Sequence, residues 1–235
     1  MEVQLIAQTK INKTYLEKLM QEVQEGDLEF IKGVQDLEGL IAYTARVSSS
    51  NQKNPSYAGL IKYCISHNHW SILEMGNASF EIETSRMISP QILRHRSFSF
   101  QEFSQRYSAV DESGIEIYAA RRQDKKNRQN SIDDMPQEDR DWWEQTQLNN
   151  WKRSFEDYTE ALNRGIAKET ARAVLPLQTK TKMYMNGTLR SWLHYVNLRA
   201  DAATQKEHRD IAEAIKLQFI KEFPVISEAA GWTNG

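Results

Sequence analysis

An α+β fold, helices packed around a small antiparallel sheet, follows from three features of this chain. Apolar residues recur at helical spacing in several separated segments, the few strand-like stretches alternate apolar with polar residues, and no internal repeat is visible. Val3, Leu5 and Ala7 alternate with polar neighbours and predict an opening strand. Leu37, Leu40, Ile41 and Thr44 predict a helix, and Tyr57, Leu60, Ile61, Cys64 and Ile65 a second. Cys64 lies in the second apolar stripe, so it is expected as core rather than as a reactive thiol. Ala78, Phe80 and Ile82 alternate with Ser79, Glu81 and Glu83 as a strand, and Ser89-Pro90 then opens a short helix running into Arg94.

Residues 121–141 pass from a basic block (Arg121, Arg122, Lys125, Lys126, Arg128) to an acidic one (Asp133, Asp134, Glu138, Asp139, Asp141) with few apolar side chains, and predict a mobile surface excursion. Leu148, Trp151, Phe155, Tyr158 and Leu162 step by three and four toward Gly165, which fits a left-handed helix cap. A shorter helix over 167–174 stops at Pro176, and Leu189, Trp192, Leu193 and Val196 mark the next. Thr204 with Glu207 predicts a capping box opening a last helix through Ile211, Ile215 and Phe219, which Pro224 closes.

At 235 residues, 40% hydrophobic and 26% charged, the chain suits one domain over 1–235 or two tightly fused lobes. A net charge of -2 argues against bulk electrostatic binding to nucleic acid, although a local basic pocket is compatible with it. Neither a secretory leader nor a membrane-length apolar run is visible, so a cytoplasmic protein without membrane association is expected. One cysteine excludes an intramolecular disulfide.

The densest chemistry lies in residues 94–107, Arg-His-Arg-Ser-Phe-Ser-Phe-Gln-Glu-Phe-Ser-Gln-Arg-Tyr. Three guanidiniums kept close repel one another unless an anion sits among them, and their planar forks suit phosphate or carboxylate. The other reading is a solvated basic turn with Phe98, Phe100 and Phe103 tucked inward. Arg190, His194 and Asn197 share one helix face that serves either a ligand or water, and Arg172 and Arg199 are further anion candidates. His67, His69 and Glu74 admit a metal site, a cofactor contact or a cap for the preceding helix. Ser104 lies in no nucleophile elbow, and with no Gly-x-Gly pair any nucleotide must be held by side chains.

Arg94-His95-Arg96, seven residues, then Ser104, continued by Arg106-Tyr107-Ser108, resembles the hallmark of the flavin-dependent thymidylate synthases. The likeness extends through residues 45–48, through His67 to Glu74, through 171–176, and through 189–191 to 197–201. It implies that family's fold and conversion of dUMP to dTMP in nucleotide biosynthesis. Methylenetetrahydrofolate would be the carbon donor, FAD the hydride carrier and NADPH the reductant, in a homotetramer whose active sites are shared between subunits. By position the resemblance assigns dUMP to Gln91, Ile92, Leu93, Arg94, Glu102, Phe103, Ser104, Gln105, Arg106, Arg172 and Arg199. FAD falls to Ser71, Arg94, His95, Arg96, Glu102, Thr188, Leu189, Arg190 and His194. Arg199 would be catalytic, stabilising charge that develops on the uracil, and no metal is implied. His95, between two arginines, is expected neutral and bonded to flavin.

The sequence departs from the family pattern at Gln101, Ser71-Ile72, Met75, Thr188 and His194, which bears on individual flavin contacts. Two rival functions stay open on the residues alone: a non-catalytic RNA or nucleotide binder using the same arginines and aromatics, and a metal-assisted hydrolase built on His67, His69 and Glu74.

Overall fold

A computed structural model describes residues 2–23, 27–111, 114–128 and 130–232. Four antiparallel strands form the central sheet in the order β1-β2-β6-β3, comprising β1 (Glu2–Gln8), β2 (Asn77–Ser85), β3 (Ser99–Glu102) and β6 (Lys180–Thr188). The helices are α1 (Lys13–Glu22), α2 (Leu28–Gln35), α3 (Leu37–Ala45), α4 (Ala58–Ser66), α5 (Ser89–Ile92), α6 (Gln137–Asn163), α7 (Lys168–Ala171), α8 (Leu189–Arg199), α9 (Lys206–Glu222) and α10 (Pro224–Ala229). The expected class and antiparallel pairing are both present.

One face of the sheet carries Ala78, Phe80, Ile82, Met183 and Met185, all fully buried against Leu189, Trp192 and Val196 of α8 and Ile211, Ile215 and Phe219 of α9. Trp192 sits at the centre, its ring edge-on to Phe80 and Phe98 at 4.8 and 4.6 Å between centroids, and its indole N–H donates to the Ala78 carbonyl at 3.0 Å. That bond satisfies the ring's single donor, which makes so large a side chain stable inside. Cys64 is buried in the α4 stripe as expected, and burial pushes its thiol up from the ordinary range.

Smaller clusters flank this core. Leu19, Phe30, Ile31 and Val34 join α1 to α2, while Trp151 and Tyr158 of α6 pack with Val110 and Ala171. Glu38 is wholly buried; its carboxyl group accepts the Ile226 and Val225 amides at 2.7 and 3.3 Å, which satisfies the start of α10. Burial pushes that carboxyl up to about 7.

Several expectations are corrected. The surface excursion over 121–141 carries a hairpin of β4 (Arg122–Gln123) and β5 (Ser131–Ile132), and α6 begins inside it at Gln137; Gln129 lies outside the described residues. Asp124 explains the hairpin, since its carboxylate accepts the amides of Lys126 and Asn127 and the side chain of Asn130. The capping box does not form. α9 starts at Lys206 behind Gln205, so Glu207 lies inside its first turn and turns to Arg121 instead. Pro224 does end α9, and its fixed φ also opens α10. α1, α2, β3 and β6 carried too little periodicity to be read. Gly165 closes α6 with a φ of +82°.

Gly187 of β6 lies beneath the Phe98 ring, into which a Cβ there would drive. Gly187→Ala should therefore destabilise the fold by about 1–3 kcal/mol, the usual range for overpacking, read as a lower urea midpoint at unchanged slope.

Candidate active site

The Arg94–Tyr107 segment is positioned at both ends by the sheet. Pro90 starts α5, whose last turn passes into bonds from the His95 amide to the Ile92 carbonyl and from the Phe98 amide to the His95 carbonyl. β3 then pairs along β6, placing Glu102 opposite Met183, and a tight turn bonds the Tyr107 and Ser108 amides to Ser104. Phe98 is buried and Phe100 half-buried, but Phe103 is 37% exposed, so the inward-tucked reading holds for only part of the segment.

Two clefts run along α8. One, about 700 Å³, is lined by Gln91, Arg94, Asn197, Leu198, Arg199 and Gln205 among others. The second, about 560 Å³, is lined by Trp70, Glu74, Ser97, Thr188, Arg190, Ser191, Leu193, His194 and Asn197. Asn197 belongs to both, so the clefts adjoin. The polar stripe Arg190, His194 and Asn197 thus faces these recesses rather than open water.

Behind the first cleft, Arg199 donates through Nε to His95 Nε2 at 2.9 Å. His95 must therefore be unprotonated at that nitrogen. Burial, then Arg199 and then His194, lower its pKa to about 4, so the expected neutral imidazole is right but its cause is not the flanking Arg94 and Arg96. Since Nε is engaged, the Nη pair is what Arg199 offers the cleft. In the second cleft Arg190 forms an ion pair with Glu74, and Thr188 caps α8 by accepting from the Ser191 amide at 3.2 Å.

A second group of charged and polar residues gathers at the far end of β3. Glu102 accepts from Arg86 at 2.9 Å and from Thr181 at 2.9 Å. Arg86 also donates to the Phe103 carbonyl. Burial and the nearby charge of Arg172 lower the Arg86 pKa, while Glu102 raises it. Sequence reasoning missed Arg86, which lies inside a β-strand-to-helix turn with no motif around it. Gln105 is buried, and its amide nitrogen has no partner among the described residues. Arg106 and Arg172 are exposed, and neither they nor Glu102 and Ser104 line the cleft of Gln91, Arg94 and Arg199.

Other assigned positions differ in exposure. Ile92 and Leu189 are fully buried in the core, while Leu93, Ser71 and Arg96 are exposed. His67 caps α4 by way of the Tyr63 carbonyl at 2.9 Å and stacks on Tyr63, and Glu74 is taken by Arg190. Among the described residues no three His, Cys, Asp or Glu side chains gather to hold a metal, so the hydrolase reading has no centre.

His208 of α9 is also buried, and burial, then Arg199 and His95, lower its pKa to about 3. Both histidines ionise near 6.5 once unfolded, so between about 6.5 and 4 the unfolded chain binds more protons. Stability should accordingly fall as pH drops through that window, and His208→Gln should flatten the slope of urea midpoint against pH; an unchanged slope would contradict the burial argument.

A family model described as thymidylate synthase complementing protein matches residues 29–225. The flavin-dependent thymidylate synthase of Synechocystis is 57% identical over 83% of this chain and 90% of its own length. A probable flavin-dependent thymidylate synthase of Paramecium bursaria Chlorella virus 1 is 52% identical over 86% and 94%. In fold, the chain is similar to a crystal structure of a UMP/dUMP methylase from Streptomyces cacaoi bound with 5-Br dUMP, at TM-score 0.75 and 24% identity over 97% of this chain and 93% of the other.

Proposed function

The chain belongs to the flavin-dependent thymidylate synthases, and from that premise we propose how its residues divide the reductive methylation of dUMP. The observation that carries the reading is the pair of adjoining clefts along α8, one rich in arginine and amides, the other floored by an aromatic and polar groups. Residues 1–235 act as one domain working in the cytoplasm; among the described residues no helix is long and apolar enough to cross a membrane. Nucleic acid is not a partner.

The first cleft takes the nucleotide. Arg199 faces the pyrimidine, and its guanidinium stabilises the negative charge that develops on the ring as C5 becomes nucleophilic. His95 holds that guanidinium in place without competing charge, because it is neutral. Gln91 and Arg94 complete this wall. Glu102, Ser104, Gln105, Arg106 and Arg172 form the other half of the nucleotide site, with the guanidiniums and the Ser104 hydroxyl suited to a phosphate dianion. Glu102, Ser104, Gln105, Arg106 and Arg172 lie outside the first cleft, and in this reading the complete site joins one subunit's half to another's, in a homotetramer.

The second cleft suits FAD. Trp70 offers a flat apolar surface, and Arg190, His194, Ser191 and Thr188 supply donors for the polar parts of the cofactor. When bound, the flavin supplies the hydride, drawn from NADPH, that completes the methyl group whose carbon comes from methylenetetrahydrofolate. Thr188 and His194, two of the departures from the family pattern, both line the cleft, positions from which a flavin is reached in this reading.

Purified protein should be yellow, lose its flavin absorbance with NADPH, and form dTMP from dUMP and methylenetetrahydrofolate. Arg199→Ala should keep fold and flavin yet lose about 10²–10³ in turnover, the scale for removing one preorganised donor. Undiminished dTMP formation by that variant would end the role given to Arg199.

A further inference from the structure

Behind Gln91 an unbroken row of hydrogen bonds runs inward from the nucleotide cleft and out to the β4–β5 hairpin. Tyr195 Oη lies 3.0 Å from His208 Nε2, and His208 Nδ1 lies 3.3 Å from Gln91 Oε1. Gln91 Nε2 donates to Gln205 Oε1 at 2.8 Å, and Gln205 Nε2 to Glu207 Oε2 at 3.0 Å. The other Glu207 oxygen accepts from Arg121 Nη1 at 2.6 Å, in an ion pair whose side chains are only 11% and 10% exposed. Arg121 is itself tied to the hairpin through Nε and the Ser131 hydroxyl at 2.8 Å.

Most members of this row have no fixed direction. A tyrosine hydroxyl donates or accepts, a neutral imidazole carries its proton on either nitrogen, and an amide turned over exchanges donor for acceptor. An ionised carboxylate only accepts. Burial pushes the Glu207 carboxyl up, but Arg121, its own backbone amide and Gln205 outweigh that and leave it below the usual range. One end of the row is therefore anchored, and the bonds propagate from it in a single sense.

We infer that the buried Glu207 carboxylate sets the direction of this row and thereby fixes which atoms of the Gln91 and Gln205 amides the cleft presents, making Glu207, Gln205 and His208 positioning residues for the nucleotide. The inference rests on the first cleft being the dUMP site. Gln91 turns its oxygen to His208 and its nitrogen to Gln205, so each amide nitrogen keeps one N–H uncommitted. Those N–H groups suit an acceptor oxygen of the nucleotide, a ring carbonyl or a sugar hydroxyl. His208 must carry its proton on Nδ1. Reversal would exchange nitrogen and oxygen in both amides and move that proton to Nε2.

The test is the ring-nitrogen NMR spectrum of the histidine-labelled full chain, with His208 identified by its loss in His208→Gln. In the unaltered protein His208 should show a protonated Nδ1 and a bare Nε2. Glu207→Gln retains shape but offers an amide nitrogen to Gln205 while its oxygen faces Arg121, so the row should invert and the His208 proton should move to Nε2. In the same variant KM for dUMP should rise about tenfold at nearly constant kcat, the size of one misplaced hydrogen bond. Arg121→Lys, which keeps a cation beside Glu207, should leave both readouts in place. A proton on Nε2 in the unaltered protein, or on Nδ1 in Glu207→Gln, overturns the assignment; a moved proton with unchanged KM overturns its link to the cleft. The spectrum needs no turnover, so a chain that fails to make dTMP would count against the dUMP reading and not against the polarity of the row.

Discussion

Seating α8 across the four-stranded sheet is the constraint on which the site depends. Trp192 cannot be moved without opening the contacts among Phe80, Phe98, Tyr195 and Phe219, and its N–H is committed to the Ala78 carbonyl. With that side of the helix fixed, Arg190, His194 and Asn197 face outward in the order their spacing imposes, and Arg199 ends the helix beside His95. The same aromatic group fixes Phe98, which sits two residues after Arg96 and thereby holds the arginine segment against the helix. Core packing and ligand geometry are thus consequences of one placement.

The chain then has to keep many guanidiniums close together without mutual expulsion. It does so by pairing several of them. Arg86 has Glu102, Arg190 has Glu74 and Arg121 has Glu207, whereas the partner of Arg199 Nε is a neutral imidazole. That last difference matters for chemistry. A protonated His95 would repel the Arg199 guanidinium, and burial of His95 avoids that by holding the imidazole neutral.

Much of this was legible in the sequence because it rests on local periodicity. Helices with a continuous apolar stripe, such as α4 and α8, and strands with clear alternation, such as β1 and β2, follow from side-chain spacing alone. β6 reads Lys-Thr-Lys-Met-Tyr-Met-Asn-Gly-Thr, and of its inward residues Thr181, Met183, Met185 and Gly187 only Thr181 has the β-branched shape that advertises a strand. Its pairing with both β2 and β3 is a tertiary effect. Thr204 and Glu207 misled for a related reason, since the capping box is a local option that Glu207 abandons for a cation more than eighty residues earlier in the chain. Arg86 and His208 carry no spacing signal at all, because their roles arise only once separate segments meet. The arginine motif was readable as a dense cationic segment, whereas its division into two groups within one chain was not.

Burial acts on the titratable groups of this core in opposite senses. A buried carboxyl such as Glu38 is held toward its protonated form even with two backbone amides on it, while His95 and His208 are held toward their neutral forms by the same desolvation with Arg199 adding to it. Glu207 stands apart as a buried carboxyl kept ionised, and the difference lies in Arg121 reaching it from the hairpin. A charge kept at that depth costs desolvation that a glutamine would avoid, so stability alone gives little reason for the pair. What the carboxylate adds and an amide lacks is a fixed sense of hydrogen bonding. The hairpin over 122–132, which looked like loose surface chain, thereby becomes part of the support of the cleft wall.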